Sequence, residues 1–515
     1  MNARRRFVLL TMVGAACIAG LSACSVGPDF LSPAAPAAAG YIAGTPLRET
    51  TAASVAGGAA QRFVQGKDVP GQWWELFRSK ELDALIEEAL MANPDVAAAQ
   101  AALRQAREIA FADEGALLPT VSASGSDTRE KISGASIGQP GYSPLLTVSS
   151  ASLNVSYAPD VFGGVRRQAE SGSAQADYER FQLEATYLTL TSNVVNAAVT
   201  MASVRDQIKA TEDIIKIDSN QLDIVKQRFA EGAVSQADVL TQQSTLAQTI
   251  ATLPPLQKQL AQARNQLMAL VGRFPSQFQG ENFALASLAL PQKLPVILPS
   301  ELIEQRPDVR AAEAQMHEAS ANVGVAIANQ LPQFTITGQL GTTAASLDKL
   351  FSPETAVWSI AGAVTQTVFD AGALEHRKRA AQAAYNQSEA QYRKTVLAAF
   401  QDVANALRAL QADADALKAQ SLAEKSAFDS LDLVRRQYRL GSIDHITLLN
   451  AEQTYQNAVI NRVRAQAARY SDTVALFQAL GGGWWNRRDV SPASEVKPDR
   501  FALPPFQEIK LSVPR

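Results

Sequence analysis

Cysteine is almost missing. In 515 residues there are only Cys17 and Cys24, both close to the N-terminus. That excludes a disulfide framework or a thiolate metal site in the body of the chain. Histidine is nearly as scarce, and His317, His376 and His445 stand at no metal-ligand spacing, which reads as helix-surface or turn positions. Charged residues, at 19%, fall below the usual quarter, and no basic cluster marks a nucleic-acid surface. No nucleophile elbow, phosphate loop or His/carboxylate cluster occurs, and Gly481-Gly482-Gly483 lacks the strand-turn-helix setting of a phosphate cradle. The chain therefore reads as neither an enzyme nor a nucleic-acid binder.

The N-terminus carries a clear signal. Arg4-Arg5-Arg6 precede an apolar run from Phe7 to Leu21, too short to span a bilayer, so residues 1–23 read as a signal peptide. Without those arginines the formal charge falls from −3 to about −6. The run ends Leu21-Ser22-Ala23-Cys24, which resembles a bacterial lipobox. The resemblance implies cleavage before Cys24, with a diacylglycerol on its thiol and an acyl chain on its new amino group. These lipids, at about 0.8 kcal/mol per buried methylene, would hold the chain in a leaflet. Ser25, where an aspartate would favour the inner membrane, implies sorting to the outer one. No other cofactor is expected. Residues 24–71, rich in Ala, Pro, Gly and Thr, read as an extended linker from that anchor.

Beyond the linker the chain is doubled. Asn93-Pro94-Asp95-Val96 returns as Arg306-Pro307-Asp308-Val309, and Leu118-Pro119 as Leu331-Pro332. Val161-Phe162 returns as Val368-Phe369, Tyr178 as Tyr385, and Val271-Gly272 as Leu480-Gly481. The halves are residues 72–280 and 281–484, with a tail over 485–515. In each half a short Ala-rich helix starts at proline, where the missing N–H costs nothing. An alternating hairpin comes after it, about 119–160 and about 332–368. Val121 and Ala123 give a short strand signal ending before Gly125, whereas Ala151, Leu153, Val155 and Tyr157 alternate clearly with polar residues, as do Phe334, Ile336 and Leu340. A helix of about 66 residues comes next, with heptad rows Ile208/Ile215/Leu222/Phe229, beside which stand Val204 and Val225, and Leu410/Leu417/Leu431/Tyr438, the second interrupted by Glu424.

Each long helix ends in the same turn. Gly232 with Ser235, and Gly441 with Asp444, pair a left-handed helix stop with the N-cap of the next helix. Pro254-Pro255 should kink the helix after the first turn. At 1.5 Å per residue a long helix spans about 100 Å, and the two shorter helices of each half nearly equal it in sum. Stacking the short pair end to end along the long one puts the hairpins at one end and the glycine turns at the other.

Four strands with one apolar face cannot close on themselves, and a bilayer does not tolerate their two free edges. Closure requires identical neighbours around an axis, with two, three or four chains all allowed. The competing reading is a soluble hairpin cap on a helical rod. The lipid anchor and the Ser/Thr/Asn/Gln-rich opposite face favour the membrane, giving an α+β membrane protein with long antiparallel coiled-coil helices and two β-hairpins per chain.

Cys24-Ser-Val-Gly-Pro-Asp-Phe, Trp73-Trp74, Asp160-Val-Phe-Gly-Gly, Val368-Phe-Asp-Ala-Gly and Leu480-Gly-Gly-Gly-Trp, in that order, resemble the TolC-like outer membrane factors, closest to the lipoprotein branch serving resistance-nodulation-division efflux pumps. The resemblance implies a homotrimer, a twelve-stranded barrel in outer membrane lipid and a helical tunnel through the periplasm. It also implies partners: a periplasmic membrane-fusion adaptor and an inner-membrane transporter of the resistance-nodulation-division type. Family aperture positions fall on Ile446, Asn450 and Gln453. The family typically has an acid at the second and often a base at the third, where this chain has neutral amides. Asp444, Arg439 and Glu452 are the nearby charges that could substitute, with Asp444 equally a plain helix cap. A duct for type I protein secretion and a non-conducting coiled-coil lipoprotein are the alternatives; the lipobox favours efflux over the first.

Overall fold

The computed structural model describes residues 25–487, except 37–39, 43–47, 134, 136–137, 139–140, 142 and 281–282. The leader, Cys24 and residues 488–515 lie outside the described residues.

Two helices of 67 residues, α3 (Gly164–Ala230) and α8 (Ala373–Arg439), run the length of the molecule, about 100 Å. Neither contains a proline, so no backbone hydrogen bond is lost along the way. Both start where the hairpin-exit motifs place an aspartate. Asp160 accepts hydrogen bonds from the Val165 and Arg166 amides, at 3.0 and 2.9 Å, and Asp370 accepts from Gly372 and Leu374, at 2.9 and 2.7 Å. These carboxylates satisfy donors that the first helical turn leaves open.

The shorter helices lie along the long ones. They are α1 (Lys80–Ala92), α2 (Pro94–Gly115), α4 (Gln236–Ala251), α5 (Leu253–Val271), α6 (Pro299–Gln305), α7 (Pro307–Ala328) and α9 (His445–Ala479). Their ends meet halfway. Asn93 caps α2 through the Asp95 amide and donates its side-chain N–H to Leu270 O at 2.9 Å. In the second half Arg306 ties the helix ends without capping α7 through its side chain, donating to Ala479 O at 2.9 Å and pairing with Asp308 and Asp402. The main core sits at this equator. Trp73 stacks on Phe477 with ring centroids 5.2 Å apart, and Leu82, Ile86, Val194, Leu267 and Val474 are fully buried with them. A parallel pair, β1 (Arg62–Gln65) with β4 (Lys293–Val296), closes over it. The described residues between 25 and 71 are thus extended but docked, with Tyr41 donating to Ile297 O at 3.1 Å.

At one end of the rod β2 (Thr120–Lys131), β3 (Leu145–Tyr157), β5 (Gln333–Ala344) and β6 (Ala356–Thr365) form an antiparallel sheet in the order β2-β3-β5-β6. Its register puts Val121 opposite Val155, Leu153 beside Leu340 and Leu340 opposite Trp358, all on one exposed face. The other face is a hydroxyl and amide ladder: Ser124 to Ser152 at 3.0 Å, Ser126 to Ser150 at 2.9 Å, and Asn154 donating to Ser124 at 3.0 Å. Among the described residues no helix is long and apolar enough to cross a membrane.

Two expectations change. The first strand does not end before Gly125 but runs twelve residues to Lys131, because Ser, Asp, Thr and Arg side chains pair across to β3 as well as apolar ones do. The helix after Gly232 is interrupted at Thr252 as expected, since Pro254 and Pro255 have no N–H to offer the preceding turn, and Thr252 itself keeps helical φ and ψ of −77° and −19°. In α3 the row Ile208/Ile215/Leu222/Phe229 is only partly buried, Leu222 being buried and Phe229 46% exposed; the continuous buried row is Val204, Gln207, Thr211, Ile214, Asp218, Gln221 and Val225, of which the two valines are expected. This row keeps heptad spacing but is half polar, so an apolar pattern points to its neighbour. In α8 the expected row is buried, and Glu424 is satisfied by Arg462 of α9 at 2.8 Å.

Candidate aperture at the turn end of the helices

Gly232 and Gly441 hold φ of +77° and +74°, a conformation that glycine adopts without strain. In each turn the next amide folds back to the last helical turn: Ala233 N–H to Arg228 O at 2.8 Å, and Ser442 N–H to Gln437 O at 3.1 Å. The next helices begin on caps. Ser235 and Asp238 form a reciprocal capping box, and Asp444 accepts from the Thr447 amide at 2.8 Å. The hydrogen bond from Thr447 holds the Asp444 carboxyl below its ordinary pKa. Asp444 is a cap, as its sequence position allowed.

The two turns are tied together by a residue that the sequence did not single out. Arg228, in the last turn of α3, donates to Tyr438 O at 3.1 Å and Arg439 O at 2.9 Å, the open carbonyls at the end of α8. Its guanidinium also lies 4.6 Å from the centre of the Tyr438 ring. On the other side His445, 6% exposed, lies with its ring 5.6 Å from the same tyrosine. Burial holds the His445 imidazole below its ordinary pKa, against Asp238 and Asp444. With Leu431 and Leu448 these groups make a small core of their own. The available signal was that Arg228 sits at the position where cations favour a helix C-terminus.

Ile446, Asn450 and Gln453 recur at helical spacing on one exposed stripe of α9, and Ile446 is 64% exposed. Glu452 does not join them. It is 5% exposed and lies 3.4 Å from Arg435 of α8, with Asp218 of α3 close enough to raise its pKa. Burial pushes the Glu452 carboxyl up to about 7. Arg439 contributes a carbonyl, not a charge, to the Arg228 link. The stripe therefore presents one apolar and two neutral polar side chains, with Asp444 turned to a cap and Glu452 into the bundle.

A sheet with one apolar and one polar face, at one end of a long helical rod whose other end is a tied pair of turns, defines the class: a channel-forming membrane protein with helices extending away from the bilayer. The profile described as outer membrane efflux protein matches residues 85–273 and 298–482. The pyoverdine export outer membrane protein OpmQ of Pseudomonas putida is 30% identical over 438 residues, covering 83% of this chain and 92% of the relative. The cation efflux system protein CusC of Escherichia coli is 26% identical over 469 residues, covering 91% and 98%. Among solved structures, the outer-membrane channel OprN superposes with a TM-score of 0.81 at 27% identity, covering 90% of this chain and 100% of that one. The open-state MtrE outer membrane channel of Neisseria gonorrhoeae superposes at 0.76 with 26% identity, covering 90% and 99%. The chain belongs to the outer membrane efflux protein family, the same family of outer membrane factors that its motifs resemble.

Proposed function

We propose that the protein is the outer membrane duct of a tripartite efflux pump, passively conducting small molecules from the periplasm to the exterior. The observation that supports this most is the four-stranded sheet, with free edges at β2 and β6, an exposed apolar face and a hydroxyl-lined opposite face. Three copies joined edge to edge would close twelve strands, apolar face to lipid and polar face to a wet lumen. The helices of the three copies would continue that lumen into the periplasm. The stripe of Ile446, Asn450 and Gln453 would narrow it at the turn end, where a periplasmic adaptor and its inner-membrane transporter of the resistance-nodulation-division type would dock.

Lipidation at Cys24 fits this arrangement. Val26 N–H donates to Phe162 O at 3.0 Å, and Arg167 pairs with Asp29 at 2.6 Å and donates to Val26 O at 3.2 Å. Ser25 is thereby held at the foot of the first hairpin, so acyl chains on the preceding residue would start at the level of the bilayer. The division into a signal peptide, an anchored segment, two structural halves and a tail accords with the same reading.

Scanned cysteine pairs, one on β2 and one on β6, test the closure in cells. Oxidation should give a covalent ladder that stops at three chains. A ladder stopping at two, or no cross-linking with both strands exposed, contradicts the closed twelve-stranded duct. Acyl labelling that survives Cys24→Ser contradicts the anchor.

A further inference from the structure

The two hairpins start and finish alike. Thr120 pairs with Ser156 at the foot of the first, and Gln333 with Thr365 at the foot of the second. Thr120 and Gln333 both follow a Leu-Pro pair, and Gly163 and Gly372, the left-handed residues before α3 and α8, both stand seven residues beyond the foot of the closing strand. β2 and β5 are therefore counterparts, as are β3 and β6. On this correspondence Gly338 answers to Gly125 and Val155 to Val364.

Within the chain β3 joins β5 with Val155 opposite Gly338. The fit is close, since a methyl group at Gly338 would lie 3.9 Å from Val155 Cβ. The same two residue types recur on the strands that have no second neighbour among the described residues, Val364 on β6 and Gly125 on β2. Val364 is 62% exposed, and a Cβ at Gly125 would meet nothing nearer than Ser150 O at 3.8 Å, on the β3 side.

We propose that β6 of one copy pairs antiparallel with β2 of the next with Val364 opposite Gly125, repeating the joint between the halves. The joint rests on the three-copy closure of the proposed duct. It sets like face to like: Gly362 meets Asp127, Ile360 meets Arg129 and Trp358 meets Lys131, all on the outward face. A slip of one residue would turn Val364 against Ser124 or Ser126 of the hydroxyl ladder. Lys131 and Arg129 come beside the exposed indole of Trp358, which attracts cations, at the end of the strands remote from the helices. The Val-Phe repeat alone would give a register two residues away, with Val364 on Ala123, because Phe369 stands four residues beyond Thr365 and Phe162 six beyond Ser156. The strand feet and the helix starts agree on the other.

Disulfide trapping in cells separates the two registers, since a disulfide needs Cβ atoms about 3.5–4.5 Å apart and residues one diagonal away are about 7–8 Å apart. A chain with Val364→Cys and Gly125→Cys should give, on oxidation, a covalent ladder that ends at three copies. It should give at least about five times more of that product than Val364→Cys with Ala123→Cys or with Asp127→Cys. Gly362→Cys with Asp127→Cys, the next outward pair in the same register, should match it. Val155→Cys with Gly338→Cys should close within one chain and so reports folding and oxidation. Most product from Val364→Cys with Ala123→Cys, or equal product from every pair, would overturn the register and leave the closure standing. No product from any edge pair while the in-chain pair forms would overturn the register and the closure together.

Discussion

Arg228 closes the end of α8 from outside: its guanidinium donates to the carbonyls of Tyr438 and Arg439, at 3.1 and 2.9 Å, and lies over the Tyr438 ring. Charge-assisted hydrogen bonds of this kind contribute roughly 1.5–3 kcal/mol when one partner is removed. Arg228→Ala should therefore speed amide exchange across residues 436–448 by about tenfold or more while leaving the equatorial helices protected. Arg228→Lys, which cannot span both carbonyls with a planar fork, should fall between. Exchange that rises equally in both regions would mean the link has no local role.

The imidazole next to this link gives the turn end a pH response of definite sign. The pKa of His445 is lowered in the folded chain, so the unfolded chain binds more protons below about pH 6.5, and acid removes stability there. The opening constant of residues 436–448, obtained by dividing the exchange rate by the intrinsic rate at each pH, should rise on acidification below about pH 6.5 in the parent protein and stay flat in His445→Phe.

The opposite sign is expected nearer the equator. Burial, the side chain of Asp472 and its charge raise the Asp413 carboxyl to about 7, with Arg469 opposing. The folded chain then binds the extra proton between the ordinary carboxylate range and about pH 7, so the α8–α9 pairing loses stability as pH rises through that window. Asp413→Asn should reduce the slope, read as the change in thermal midpoint between about pH 5 and about pH 8, and leave the share that Glu452, also raised to about 7, contributes. A slope unchanged by Asp413→Asn would place the titration elsewhere.

Trp73 anchors the equatorial core against Phe477. Trp73→Ala should cost about 3–5 kcal/mol by lost burial and the cavity it leaves, measured by denaturant unfolding of the detergent-solubilised protein. A loss below about 1 kcal/mol would contradict the placing of the core at mid-rod.

Much of this architecture is legible in the sequence because it rests on short-range chemistry. Gly232, Ser235, Gly441 and Asp444 act as helix stops and caps, and Pro94 and Pro307 start helices, since φ preference and hydrogen-bonding capacity are local properties. The alternation in Ala151–Tyr157 marks a strand for the same reason. What the sequence hides depends on what lies opposite. The buried row of α3 is read only in part: Val204, Leu222 and Val225 are buried as expected, but Gln207, Thr211, Asp218 and Gln221 occupy seam positions that an apolar pattern leaves out. Arg228 is invisible because its partners are backbone carbonyls more than 200 residues away, which no side-chain motif encodes. Glu452 looks like a neighbour of the aperture stripe, but one helical step turns it inward to Arg435.

The neutral stripe makes its own prediction. With Asn450 and Gln453 in place of an acid and a base, divalent cations should leave conductance unaltered, whereas Asn450→Asp would add one carboxylate per chain around the axis and confer magnesium block. Block of the parent protein at the same concentration would place an acidic ring elsewhere in the lumen.

Single-channel recording in planar bilayers decides whether the tied turn end closes a duct. The purified protein should insert and pass little current, and Arg228→Ala, which frees the turn end, should raise the open fraction about tenfold without changing the number of insertions. Insertion with equal current in both proteins would contradict a closure held at Arg228, and the absence of any channel in either would contradict conduction itself.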